Sequence, residues 1–118
     1  MANIVEILSG KLPRLHDAKT LQDIVLYLVE NVRRDEVSGV EGFFEEVERQ
    51  IIFADRSTQD RVIVELLEGL KNQSCLEDVD YIVFENWLLP ETHVAWRWLE
   101  KKWQGKRSLA DEATSRLK

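Results

Sequence analysis

The sequence predicts an all-α fold, a compact bundle or orthogonal array of about five to six helices, and three observations predict it. Apolar residues recur at three- and four-residue spacings along most of the chain. Capping residues, Gly and Pro punctuate those runs at helix-sized intervals. The few β-prone stretches have no confident second strand to pair with, and a lone strand leaves its backbone unsatisfied. At 118 residues, 44% hydrophobic and 32% charged, the chain is sized for one domain and apolar enough to order it. We place that domain at residues 1–105, with 106–118 as a short C-terminal helix or a frayed tail.

The elements follow in order. Residues 3–9 form a short helix ending at Gly10, and Pro13 keeps the next stretch irregular. Asp17 or Thr20 caps a second helix with Leu21, Ile24, Val25, Leu28, Val29 and Val32 on one side. Its β-branched residues leave a buried strand within Ile24 to Val29 as the lesser alternative. Arg33 and Arg34 fall in the last turn, where positive charge complements the helix dipole.

Ser38 or Gly39 opens a third helix, with Val40, Phe43, Phe44, Val47 and Ile51 on its apolar face and Glu41, Glu45 and Glu48 opposite. A turn at Phe53 to Arg56 makes an αα-hairpin with a fourth helix. Ser57 is its expected cap and Asp60 its box partner. Val62, Ile63, Leu66, Leu67 and Leu70 are its apolar residues, and the polar run Lys71, Asn72, Gln73 and Ser74 closes it. A loop carrying Cys75, Leu76 and Asp78 leads to a fifth helix over about Val79 to Leu88. A strand at Tyr81 to Phe84 is the alternative there on propensity.

Pro90 suits the first turn of a sixth helix ending at Gly105. One stripe of it is Thr92, Ala95, Trp96, Leu99 and Trp103; a second is Val94, Trp98 and Lys101. Trp98 lies about 200° around the helix from Trp96, so one partner cannot bury both. That makes Trp98 the candidate aromatic anchor for an interface, with burial against the N-terminal segment or the tail as the alternative.

Charge is unevenly spread. The net charge is −6, and residues 35–70 alone carry ten acidic against three basic residues. Such a field repels phosphate backbones and steers a basic protein inward. The basic patches Arg33-Arg34, Lys101-Lys102 and Lys106-Arg107 are short, so nucleic acid is not an expected partner. No apolar run approaches membrane-spanning length, and nothing at Met1 to Ser9 marks the chain for secretion. One cysteine, Cys75, forms no intrachain disulfide, and the expected compartment is the cytoplasm.

Motifs for chemistry are missing. His16 and His93 lack a second His or Cys at ligand spacing, so we expect no metal and no cofactor. No nucleophile elbow, phosphate-cradling Gly-rich loop or Glu-x-x-His pair occurs. The carboxylates on the third and fourth helices read as solvated faces, and we expect no enzyme.

Phe43-Phe44-Glu45-Glu46-Val47, Leu66-Leu67-Glu68-Gly69-Leu70, Leu88-Leu89-Pro90-Glu91 and Trp96-Arg97-Trp98-Leu99 occur in that order. Over about residues 40–104 the chain thereby resembles a family of small, uncharacterised bacterial all-helical proteins, and some small acidic proteins of this general sort are immunity proteins that neutralise a neighbouring toxin. The resemblance transfers no catalytic residue. It implies a protein-binding module that occludes a basic toxin encoded nearby; the acidic residues of the middle third and the azimuth of Trp98 give Glu41, Glu45, Glu48, Asp55 and Trp98 as the candidate contacts. A structural or regulatory homodimer joined around Trp98 is the alternative, and a small hydrolase or transferase with a site invisible in sequence is a third.

Overall fold

Helices begin where a side chain can take up amides that have no partner in the first turn. The computed structural model describes residues 3–102, and four such starts are visible in it. Asn3 accepts from the Glu6 amide and opens α1, Ile4–Ser9. Thr20 and Asp23 form a reciprocal capping box at the head of α2, Leu21–Arg33. Asp55 accepts from the Thr58 amide at α4, Arg56–Arg61. Asp80 accepts from Ile82 ahead of a 3-10 helix, Tyr81–Trp87.

Between these, α3 runs Val40–Phe53 behind Gly39, whose φ of 83° is left-handed. A methyl on Gly39 would sit 2.7 Å from Pro13 Cδ, so the loop before α2 packs directly on this turn. After α4 the helix continues without a break through a π-helical stretch, Val62–Glu68, into α5, Gly69–Leu76. A last helix, α6, occupies residues 90–102 of the described chain. Among the described residues no strand forms, and both stretches with strand alternatives are helical.

Three expectations need correction. The α4 cap is Asp55, not Ser57 with Asp60, because the helix starts two residues earlier and places Thr58 at the third position. The polar run does not close the helix at Lys71 to Ser74; α5 continues to Leu76, with Lys71 and Ser74 buried and Cys75 exposed on the helix, not in a loop. The reason is periodic: Lys71 and Ser74 stand four and seven residues after Leu67 and share its inward stripe. The fifth element is the tighter 3-10 form and spans Tyr81–Trp87, seven residues within the expected stretch. Trp103, Gly105 and the 106–118 tail lie outside the described residues.

The C-terminal ends of α2 and α5 share one solution. Glu36 donates to the Asn31 carbonyl at 2.7 Å and Val79 to that of Ser74 at 2.8 Å, while Asp35 and Asp78 turn the chain with φ of 60° and 58°. These are Schellman turns with Asp where Gly is usual.

The core gathers the inward stripes: Ile24, Val25, Leu28 and Val29 of α2, Phe43, Phe44 and Val47 of α3, Val62, Leu66, Leu67 and Leu70 of the long helix, and Trp96 and Leu99 of α6. Burial of each large apolar side chain contributes about 1.5–3 kcal/mol before entropy is charged against it. α2 packs against α5 and the π stretch, tightly at Gly69, where a methyl would meet Val25 Cγ2 at 3.2 Å. Aromatic contacts tie the rest together: Phe43 to Phe44 at 5.2 Å, Phe44 to Phe84 at 6.4 Å, and Phe84 to Trp96 at 6.5 Å. The 3-10 helix is thus clamped between α3 and α6. The expected αα-hairpin forms, with Gln59 Nε2 donating to the Ile51 carbonyl at 2.8 Å across the turn.

Candidate functional site

The helical period that buries Val40, Phe43, Phe44 and Val47 turns Glu41 and Glu45 outward, one turn apart. Opposite them the 3-10 helix ends at Trp87, and an extended Leu88 and then Leu89 lead into Pro90. Glu41, Glu45, Asn86, Trp87, Leu88 and Leu89 together line an open groove of about 380 Å³. Its walls are a pair of carboxylates on one side and half-buried apolar side chains on the other.

The remaining candidates lie elsewhere and do different work. α6 opens after Leu89, which has no polar atom to cap it, and Pro90 contributes no amide hydrogen. Glu48 of α3 supplies the cap: its Oε2 accepts from the Glu91 amide at 3.0 Å, and its Oε1 from the Thr92 amide and hydroxyl, both at 2.8 Å. Burial acts to raise the Glu48 pKa, and the hydrogen bonds from Glu91 and Thr92 outweigh it, holding the carboxyl below its ordinary 4.5. Asp55 is engaged as the cap of α4. Its carboxyl is held below 3.8 by the Thr58 hydroxyl and amide.

Trp98 stands on the outward stripe of α6, 54% exposed, next to Val94 at 64%. Lys102 Nζ lies 5.5 Å from the Trp98 ring centroid. Of the five sequence-nominated contacts, only Glu41 and Glu45 therefore converge on one concave surface. Sequence reading missed its other wall, although Trp87 and the Leu-Leu-Pro that follows it announce apolar residues at a break between helices.

Glu41 and Glu45 also differ from most glutamates around them. Glu30 pairs with Arg33 and Arg34, Glu36 with Arg14, Glu46 with Lys11, and Glu65 with Arg61. Among the described residues, neither Glu41 nor Glu45 has an ion-pair or side-chain hydrogen-bond partner. Two carboxylates at i and i+4 repel by a few tenths of a kcal/mol, so an unneutralised pair costs the fold a little.

Protein-family models, curated proteins and solved structures yield no match to the chain.

A second unusual environment surrounds Lys71. It is fully buried, with Nζ 4.0 Å from the Trp96 ring centroid, 4.2 Å from that of Tyr81, and 3.3 Å from Glu100 Oε1. Burial pushes the lysine pKa below its ordinary 10.5, opposed by Glu100 and, more weakly, by Glu85 and Cys75. No route to a substrate is visible for a group with zero exposure, so the ammonium reads as a packing element joining α5 to α6.

His16 is exposed, and His93 is half-buried with Nε2 3.8 Å from Glu85. Among the described residues no group of three or more His, Cys, Asp or Glu side chains is placed to hold a metal ion, and no helix is long and apolar enough to cross a membrane.

Proposed function

We propose that the chain is a non-enzymatic protein-binding module, most concretely a cytoplasmic immunity protein that binds and occludes a basic cognate toxin. The observation that carries this reading is the groove in which two unneutralised carboxylates, Glu41 and Glu45, face Trp87, Leu88 and Leu89. Charge at the rim speeds encounter with a basic surface, and desolvated apolar contact then slows dissociation. Inhibition by occlusion consumes no substrate and asks for no nucleophile, general base or cofactor. The excess of acid in residues 35–70 gives the long-range field the same sign as the groove.

Affinity capture of the tagged protein from its native cells, washed at moderate salt and read by mass spectrometry, tests this. A basic protein encoded beside it, recovered in equal amount and toxic when expressed alone, is the expected result. Recovery of the bait alone from cells that express that neighbour refutes it.

A homodimer is the second reading, favoured by the outward Val94 and Trp98 on adjacent turns of α6. It predicts a dimer in sedimentation equilibrium that Trp98→Ala converts to monomer, with no dependence on a second protein.

A further inference from the structure

We propose that the groove between α3 and the end of the 3-10 helix is an arginine-reading site. In this assignment its occupant is a partner segment that inserts an arginine between Glu41, Glu45 and the Trp87 ring, with an apolar neighbour over Leu88 and Leu89. This deepens the protein-binding reading and rests on it.

The polar atoms of the groove select the class of side chain. Glu41 and Glu45 contribute carboxylate oxygens only. Asn86 spends one N–H of its amide nitrogen on the Val83 carbonyl at 3.0 Å, which leaves its oxygen and one N–H. Apart from the Trp87 indole N–H and one Asn86 N–H, the polar side-chain atoms are acceptors, and the only charged ones are the two carboxylates. A matching ligand is cationic at neutral pH, rich in donors and without an acceptor of its own, which describes arginine and lysine best among the side chains.

Between those two, the spacing and the ring favour arginine. Glu41 and Glu45 are four residues apart on α3, about 6 Å along the axis, so one planar guanidinium can donate to both carboxylates from different edges. An ammonium is a compact point charge and is more strongly hydrated, so it gains less from a half-buried site. Trp87 is itself half-buried and braced by Phe84 at 6.2 Å, which holds its ring without mobile side-chain cost. A guanidinium stacked on such a face gains both cation–π and planar contact.

The two carboxylates also explain why the site prefers a cation to an apolar plug. Neither is neutralised among the described residues, whereas Glu30, Glu36, Glu46 and Glu65 each have a cation supplied by the chain itself. An incoming charge relieves the repulsion between them and replaces the missing partner.

The test titrates the full-length, isotope-labelled protein with the blocked tripeptide Leu-Arg-Leu and follows backbone amides and the Trp87 indole by NMR, the indole being assigned with Trp87→Phe. Saturable shifts at residues 41–45 and 86–89 are expected. Affinity should fall at least tenfold for the citrulline peptide and for Glu41→Gln with Glu45→Gln, and about threefold or more for the lysine peptide. Absence of saturable shifts there, or equal binding of the citrulline peptide, overturns the proposal. Lysine binding as tightly as arginine overturns the arginine assignment. Capture from native cells separates this inference from the broader reading. A stoichiometric partner that the double Gln variant still retains sinks the groove and spares the module; peptide binding without any captured partner does the reverse.

Discussion

Replacing Lys71 with Met tests whether a charge belongs in this core or is merely tolerated there. The side chain is fully buried, and its four-carbon stem already packs as an apolar group. Removing the ammonium loses two ring contacts, at 4.0 and 4.2 Å, worth about 2 kcal/mol between them since one cation cannot be optimal over both. It also loses the 3.3 Å contact to Glu100, which is about a quarter exposed and can rehydrate, so that loss is about 1 kcal/mol. Against these stands the cost of stripping water from an ammonium, several kcal/mol even after relaxation, which Met does not incur. Met sulfur over the same rings returns about 0.3–1.5 kcal/mol.

The terms nearly cancel, and we expect Lys71→Met to fall within about 1 kcal/mol of the parent at pH 7. Lys71→Ala should cost about 3 kcal/mol, because it leaves a cavity. The pH dependence has a definite sign. The folded-state pKa of Lys71 lies below 10.5, so between the folded and unfolded values the unfolded chain binds more protons and stability rises with pH. Urea denaturation followed by circular dichroism at pH 7 and pH 9.5 should show the parent gaining on Lys71→Met at the higher pH. A loss of 3 kcal/mol or more for Met at pH 7, with no change in the difference at pH 9.5, refutes the reasoning and makes the ammonium a net stabiliser.

Three further outcomes are expected. Gly39→Ala should lower stability by about 2–3 kcal/mol in a thermal melt, since Gly39 holds a φ of 83° and a methyl there meets Pro13 Cδ at 2.7 Å. Asp78→Gly should raise stability by about 0.5–1 kcal/mol by relieving a φ of 58° at a Schellman turn, measured by urea midpoint at constant slope. Glu48→Ala should cost about 2–3 kcal/mol, because three donors at the head of α6 lose their acceptor and the Thr92 hydroxyl is buried. The Glu48 carboxyl is held below 4.5, so its contribution is complete above that pH and is lost as pH falls through the lower folded value; the acid limb of the stability profile should be shallower in Glu48→Gln.

Helices were legible where their own sequence decides them. Thr20 with Asp23, Gly39 ahead of Val40, and the 3.6-residue stripes of α2, α3 and α6 all act within a few residues of the element they define. The outward azimuth of Trp98 followed from the same period, as did the burial of Trp96. Lys71 is misleading in sequence because its residue type suggests a helix end while its position does not: the stripe from Leu67 demands that it point inward, and Tyr81, Trp96 and Glu100 make that tolerable. The 3-10 form of Tyr81–Trp87 is set between Asp80 and the chain's turn into Leu88, with Phe84 held by Phe44 and Trp96 from two other elements. No local pattern encodes that clamp.

The acidic third of the chain shows why a charge tally cannot locate a binding surface. Glu41, Glu45 and Glu48 occupy one side of the same helix in projection, yet Glu48 is tied to Glu91 and Thr92, 43 and 44 residues away in sequence. Asp55 caps its own helix. Both carboxylates hold architecture, and charge reversal at either would disturb folding and binding together. Glu41 and Glu45 carry no such duty among the described residues, so neutral substitutions there should leave the melting temperature nearly unchanged. Removing their mutual repulsion would, at most, raise it slightly. A binding defect in Glu41→Gln with Glu45→Gln can therefore be assigned to recognition, whereas the same defect in Glu48→Ala would report the detachment of α6 from α3.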